Sequence, residues 1–435
     1  MNLIDKLNQE ELNRQKNTLN LIASENYPSP KTLECLSSVF SNKYGEGYPY
    51  KRYYAGNQNT DILEDEVAKL ALRVFKASDN YGVNLQVLSG SPANSIVFLS
   101  VLEYGDTILS LKLASGGHLS HLHSTSNWNK FFKLVNYDLK ETENKTFEID
   151  YEDYCQKIIN HKPKLVIIGF SSYPRSYEFN KMIEFAHKNN CLVLADIAHI
   201  NGLVAVGLHP SPFLGKDIET ADFVSMTTHK TFRGPRGAML FAKNSIPDYL
   251  DINNRVIFGN KKSLIQAINQ TVFPGTSGGP HFNVIASIGQ ACLEILGEND
   301  YPDKISFRDY SLNVLNNTKA LENGLLDGQL NIISPSQNHL CLVELPQELD
   351  SLDIQKKLET YGIITNRNLL PKDNKNAYRP SGLRLGTSAL TSRGLNTDQS
   401  YKLGILIARI IFDKDNEKEI KIKVKNILDN LNWYY

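Results

Sequence analysis

Val224-Ser-Met-Thr-Thr-His229-Lys230-Thr-Phe-Arg233-Gly-Pro-Arg236-Gly-Ala-Met-Leu240 is the stretch on which the reading of this 435-residue chain turns. An apolar, β-rich run over 221–226 leads into it, a Gly/Pro turn holds its centre, and a second apolar run over 238–242 leaves it. Strand, polar turn, strand is the grammar of a hairpin. Lys230 therefore stands at a strand end, where α/β proteins build their sites. An amine held there, beside His229 and backed by Arg233 and Arg236, is a candidate Schiff-base nucleophile for pyridoxal phosphate. A lone loop lysine is more often simply solvated, so the weight falls on its surroundings.

Working outward, apolar runs at 84–88, 107–111, 165–170, 191–195 and 221–226 alternate with helical patterns such as 61–75 and 96–102. That alternation predicts βαβ units and a mostly parallel sheet covered by helices on both faces. A helix over 282–296 leads on to a smaller α/β domain, with strands at 341–344 and 383–386 and helices at 353–361 and 400–412. At the other end, residues 1–20 read as a helix with Leu3, Ile4, Leu7, Leu12 and Leu19 as its apolar set. Residues 21–60 are rich in Gly, Pro and Tyr and suit an ordered loop in a site or interface better than a core element. The expected division is an N-terminal arm (1–55), a large α/β domain (56–283) and a smaller C-terminal α/β domain (284–435).

Composition sets the outer limits. With 41% hydrophobic and 22% charged residues the chain can bury a sizeable core. Lys plus Arg and Asp plus Glu both number 47, a balance that argues against nucleic-acid or membrane-surface partners. Five scattered cysteines without CxxC spacing suggest reduced thiols. The polar, acid-containing start lacks the pattern of a signal or transit peptide, and no apolar run approaches the roughly 18 residues needed to span a bilayer. A cytoplasmic location is the expectation.

Four constellations accompany the lysine. Leu88-Ser-Gly-Ser-Pro-Ala-Asn94 follows a strand and opens a helix, so Ser89, Gly90 and Ser91 could offer backbone donors to a phosphate; a plain N-cap and turn is the alternative. Asp196, just past the run 191–195, could pair with a protonated pyridine nitrogen or cap a helix. His199 could reach the same place or sit in the first turn of that helix. Gly116-Gly117-His118-Leu-Ser-His121-Leu-His123 invites a metal reading, but no Cys or carboxylate lies near enough in sequence to complete one. An imidazole stacked on an aromatic cofactor uses His118 better. Arg384, on a short apolar strand, could clamp a substrate carboxylate or form a structural ion pair.

Together with Leu21-Ile-Ala-Ser24-Glu-Asn26, Lys43-Tyr44-Gly-Glu46-Gly-Tyr-Pro, Arg52-Tyr-Tyr54, Asp196-Ile-Ala-His199, Thr228-His229-Lys230-Thr, Gly234-Pro-Arg236-Gly, Val272-Phe-Pro-Gly, Gly278-Gly-Pro, Asn338-His-Leu and Arg384-Leu-Gly-Thr, these motifs run in one order through most of the chain. The set resembles that of the serine hydroxymethyltransferase family. The resemblance implies a fold-type I (aspartate aminotransferase-like) architecture with a mostly parallel seven-stranded sheet, pyridoxal 5′-phosphate as cofactor, and L-serine, glycine and tetrahydrofolate as substrates. It also implies a homodimer with shared sites, alone or paired into a dimer of dimers, working in one-carbon metabolism and glycine biosynthesis.

Residue by residue, Lys230 resembles the cofactor-anchoring lysine, Asp196 the pyridine-nitrogen partner and His118 the stacking ring. Ser89, Gly90, Ser91, Ser171, His199 and Gly278 look like further cofactor contacts, and Arg384 with Ser24 like the carboxylate clamp. Tyr44 and Glu46 match residues that the neighbouring subunit supplies, Glu46 moving protons. Tyr54, His229 and Arg236 match active-site residues around the lysine, and Leu113, Gly117, Leu119 and Asn368 fall with Glu46 where the family contacts folate. No metal is implied. Departures stand at Tyr50 and Ala55, where the family usually has Gly, at Thr276-Ser277, at Asn201 in place of a small apolar residue, and at Met226 in place of Thr. A folate-independent threonine-type aldolase or transaldolase on the same scaffold is the alternative, and a non-catalytic paralogue the third reading.

Overall fold

Two runs of buried apolar residues, Leu165–Ile168 and Leu192–Asp196, lie side by side in the middle of a seven-stranded sheet. The computed structural model describes residues 1–123, 125–250, 262–298 and 305–433. In chain order the strands are β1 (Tyr81–Asn84), β2 (Thr107–Leu111), β3 (Lys133–Tyr137), β4 (Leu165–Ile168), β5 (Leu192–Asp196), β6 (Phe223–Thr227) and β7 (Ala238–Lys243). Their spatial order is β1-β7-β6-β5-β4-β2-β3. β7 pairs antiparallel with both β6 and β1, and every other pairing is parallel. Strands buried on both faces read as continuous Val, Leu and Ile rather than as alternation, which is what β4 (Leu-Val-Ile-Ile) does. The expected hairpin is the β6–β7 pair, with Val224 opposite Phe241.

Clustering of contacts gives two compact units. The larger comprises residues Pro28–Lys140 and Ile149–Arg308. It contains the sheet, and the helix Phe282–Leu296 packs there against Gln58–Val74 and Pro30–Leu36. The smaller comprises Met1–Tyr27, Glu141–Glu148 and Asp309–Tyr435. Its sheet runs in the order Asn331–Ile332, Leu340–Glu344, Gly382–Gly386, Asn366–Asn368, antiparallel throughout. Helices Ser351–Thr360 and Thr397–Ile411 stand where helical patterns predict them, and Leu358, Leu383, Leu403 and Ile407 share the core of this unit.

Several elements differ from the sequence expectation for identifiable reasons. The strand expected at 84–88 lies earlier, at Tyr81–Asn84. The Asn84 side chain accepts from Gln86 N (2.9 Å) and donates to Tyr48 Oη and Asn269 Oδ1, so the chain leaves the sheet there although Leu85 and Val87 remain buried. The first helix stops at Lys16, and Leu19 belongs instead to a two-residue strand paired in parallel with Ile363–Ile364. None of the helix Leu3–Lys16 is fully buried: Leu3, Ile4 and Leu7 face solvent in the single chain, and Leu12 is half-buried. Within 21–60 a helix forms at Pro30–Leu36, capped by Ser29, and a short hairpin joins Gly47–Tyr48 to Lys51–Arg52. The half-polar strand β3 has no counterpart in the sequence expectation, which also gives no bounds for the helices Tyr151–His161, Phe179–Lys188 and Phe307–Asp327, although the first two are covering helices that the strand–helix alternation implies.

Candidate active site

Parallel strands deliver their carboxyl ends to one edge, and the loops leaving that edge carry one group of the predicted residues of the large unit. Asp196 ends β5, in register with Ser225 of β6. Lys230 follows β6, Gly116 to His118 follow β2, and Ser171 follows β4. Ser89 to Ser91 open the helix Gly90–Val101 after β1.

Asp196 is the best-held group. Its Oδ2 accepts from Asn94 Nδ2 (2.9 Å) and His121 Nε2 (2.9 Å), and its Oδ1 from Ala198 N (3.0 Å). Burial pushes its pKa up, but the hydrogen bond and charge of His121, the charge of His118 and the Asn94 amide outweigh that and hold the carboxyl well below its usual range. Asn94 is in turn fixed by donating to Ser120 Oγ (2.9 Å) and accepting from Ser225 Oγ (2.7 Å). Ser120 reaches His118 Nδ1 (2.7 Å) through the same hydroxyl, so the histidine loop, the helix start and β5 share one polar network. His121 belongs to this network rather than to a metal site. Among the described residues no cluster of three or more His, Cys, Asp or Glu is placed to hold a metal ion. Asn94 and His121 lie 102 and 75 residues from Asp196 in the chain, so local sequence gave no signal for either.

Lys230 is buried, in a turn that folds back on itself. Thr228 N donates to Gly237 O (3.1 Å), Gly234 N to Thr228 O (2.7 Å), and Thr228 Oγ1 to Pro235 O (2.6 Å). Arg233 in this turn takes a left-handed φ of 60°, a conformation uncommon for a side chain of its size. His229 is pushed down to about 3, first by burial and then by the charges of Lys230 and Arg236, so it is neutral at neutral pH. Its Nδ1 is buried without a hydrogen-bond partner. Arg236 is exposed.

At the start of the helix Gly90–Val101, Ser89 is extended and makes no side-chain cap bond, so the first-turn amides are not satisfied by its hydroxyl. A Cβ on Gly90 would come within 2.8 Å of Thr227 Cγ2. Nearby, Ser171 N donates to Gly116 O (2.8 Å), and Gly117 packs so closely that a Cβ would meet Leu111 O at 2.3 Å. Leu113 begins a short 3-10 turn, Leu119 is exposed and His199 is buried.

A second group gathers elsewhere in the large unit. Tyr44 Oη donates to Glu46 Oε1 (2.8 Å), Tyr54 meets the Tyr44 ring edge-on at 5.1 Å, and Gly278 and Gly279 lie against the same pair. The hydrogen bond to Glu46 raises the pKa of Tyr44. Arg52 anchors the loop: it pairs with Asp61 (2.9 Å) and Glu64 (2.6 Å) and donates to Gly47 O (2.6 Å). Tyr50 does adopt the left-handed conformation in which the family's glycine is at home, with φ 63°.

In the smaller unit, Arg384 lies in the strand Gly382–Gly386, where its Nε donates to Asn366 Oδ1 (3.2 Å). Burial lowers its pKa to about 10. The segment bearing Ser24 runs beside that strand, with Gly386 N donating to Leu21 O (2.8 Å) and Ala23 packed against Gly386. Asn368 ends the neighbouring strand, paired with Gly382.

This arrangement has close relatives. Residues 2–407 match the family described as serine hydroxymethyltransferase. The chain belongs to the serine hydroxymethyltransferase family. Serine hydroxymethyltransferase of Desulfotalea psychrophila (strain LSv54 / DSM 12343) is 40% identical over 410 residues, 94% of this chain and 88% of that protein. The enzymes of that name from Borrelia duttonii (strain Ly) and Borrelia recurrentis (strain A1) are each 38% identical over 424 residues, 97% of this chain and 96% of theirs. Membership brings with it the fold-type I architecture seen in the seven-stranded sheet and the family's enzyme class. All three relatives are named as hydroxymethyltransferases, and nothing in these likenesses favours the aldolase alternative.

Proposed function

We propose that the chain binds pyridoxal 5′-phosphate at the carboxyl edge of its large sheet and transfers the hydroxymethyl carbon of L-serine reversibly to tetrahydrofolate, giving glycine and 5,10-methylenetetrahydrofolate. The observation that carries this is the environment of Asp196. A carboxylate has about four acceptor positions, and Asn94, His121 and Ala198 occupy three. The group is held anionic with one position left, which suits a protonated ring nitrogen. Further support comes from the helix start at Ser89 to Ser91, where free amides and the helix dipole suit a phosphate.

When bound, pyridoxal phosphate supplies an electron sink for negative charge at the substrate α-carbon. The chain's own residues do the rest. Lys230 anchors the cofactor and yields to the substrate amine, while His229, kept neutral, adds no charge to that exchange. His118 offers a flat ring, oriented by Ser120, to stack on the cofactor, with Ser171 and His199 as further contacts. Arg384, a buried guanidinium, suits a substrate carboxylate as its partner. With Ser24 it fixes the α-carbon's orientation, an entropy effect. Leu113, Gly117, Leu119 and Asn368 are assigned to folate.

Tyr44, Glu46, Tyr54 and Gly278 are assigned to the neighbouring protomer's site in a homodimer, Glu46 moving the proton and Tyr54 assisting cofactor exchange. Two exposed features support that assembly: the apolar set Leu3, Ile4 and Leu7 of the first helix, and Val39, Tyr44, Tyr53 and Tyr54 in the loop region after Pro30–Leu36. The arm over 1–55 is read as the interface segment, and a cytoplasmic location is retained. Among the described residues no helix is long and apolar enough to cross a membrane. Reductive trapping of the purified holoprotein with borohydride tests the cofactor reading. The pyridoxyl group is expected on the peptide containing Lys230 and absent from Lys230→Ala. Label on another lysine, or no cofactor bound, would contradict it.

A further inference from the structure

Asn201, a departure from the family's usual small apolar residue, is completely buried at the start of the helix Asn201–Ala205, five residues past Asp196. Its carboxamide reaches both flanks of the lysine. Nδ2 donates to Thr227 O at 2.6 Å, while Oδ1 accepts from Thr231 Oγ1 at 3.0 Å and from Gly202 N at 3.0 Å. The Thr231 hydroxyl lies 2.9 Å from His199 O and accepts from Gly202 N at 3.1 Å, so both segments close on the same pair of side chains. At Gly202 the two backbones approach so closely that a Cβ would lie 2.2 Å from Thr231 O. One amide thus grips the chain three residues before Lys230 and one residue after it, and ties both grips to the segment that follows Asp196.

We propose that Asn201 is a positioning residue for the Lys230 amine. It fixes the lysine turn against the strand that carries Asp196, working as a unit with Thr231. The grip on Thr227 also sets the wall against which Gly90 packs, since Thr227 Cγ2 is the atom nearest to any Cβ there. A small apolar residue at 201 fills space but offers no N–H to Thr227 O and no oxygen to Thr231. A side chain that orients the lysine without touching substrate should govern how readily the amine engages the cofactor, and should leave serine binding alone. The inference rests on the reading of Lys230 as the cofactor lysine.

The test compares wild type, Asn201→Ala, Thr231→Val, the double variant and Asn201→Asp. Uptake of pyridoxal phosphate by the apoprotein is followed by absorbance, alongside steady-state serine turnover. Each single variant is expected to slow cofactor uptake and lower kcat about tenfold with the KM for serine within about twofold of wild type. The double variant should be no worse than the worse single one, since the two act as a unit. Asn201→Asp keeps an oxygen for Thr231 and Gly202 but sets a second carboxylate oxygen against Thr227 O in a buried site, so it should be at least as impaired as Asn201→Ala. Wild-type uptake and kcat in Asn201→Ala, with thermal midpoints lowered equally in apo and holo forms, would overturn the proposal. If Asn201→Ala fails to fold, Thr231→Val decides by the same criteria. A wild-type protein that takes up no pyridoxal phosphate would overturn the functional reading and this inference with it.

Discussion

At the scale of single residues, Asp196 separates charge from shape. Asp196→Asn preserves size, yet it removes the negative charge and turns an N–H either toward the Asn94 and His121 donors that share Oδ2 or toward Ala198 N at Oδ1. Turnover is expected to fall by roughly a thousandfold, the order seen when a preorganised electrostatic partner is removed, with the fold retained. Asn94→Ala should cost about tenfold, as loss of an outer hydrogen-bond partner typically does. Steady-state kinetics with a melting curve on each variant checks both, and near-normal turnover in Asp196→Asn would remove this carboxylate from the mechanism. Lys230 and Asp196 are legible in the sequence because each follows a buried apolar run, and a strand end fixes where a residue emerges. Asn94 and His121 are not, because their role exists only once β5, the helix Gly90–Val101 and the histidine loop meet.

At the scale of elements, the hairpin around Pro49-Tyr50 is one place where this chain carries backbone strain, as the turn at Arg233 is another. Tyr50 is exposed at φ 63°, so its side chain contributes little packing in the single chain to offset the left-handed backbone. The left-handed region costs a non-glycine residue about 1–2 kcal/mol, and glycine's greater freedom when unfolded takes back about 0.5–1 kcal/mol. Tyr50→Gly is therefore expected to raise stability by about 0.5–1 kcal/mol in denaturant titration; a loss of stability would show that Tyr50 is packed in the assembled protein. The hairpin is not legible, because the Gly-, Pro- and Tyr-rich stretch around it reads as loop and tyrosine does not signal a left-handed position. The edge strand β3 is not legible, because Lys-Leu-Val-Asn-Tyr is half polar and an edge needs burial on fewer sides. The helices Tyr151–His161 and Phe179–Lys188 differ in how plainly the sequence marks their starts. Asp150 caps the first, whereas the second has no side-chain cap bond at its start.

At the scale of the whole molecule, the central sheet was readable because fully buried parallel strands carry continuous apolar runs, and the family because its motifs keep their order along the chain. The grouping of Glu46 with Tyr44, Tyr54 and Gly278 makes sense as a surface offered to a second protomer, and mixing variants tests it. Glu46→Ala and Lys230→Ala, each nearly inactive alone, should on subunit exchange recover about a quarter of wild-type activity, because half the dimers then hold one intact site. No recovery, with exchange verified, would place Glu46 in its own subunit's site. The proposed reaction stands or falls on the acceptor of the one-carbon unit. The direct measurement is glycine formation from L-serine by the holoprotein with and without tetrahydrofolate. The expected result is rapid conversion that requires tetrahydrofolate and yields 5,10-methylenetetrahydrofolate in equal amount; serine cleavage at the same rate without tetrahydrofolate would contradict it.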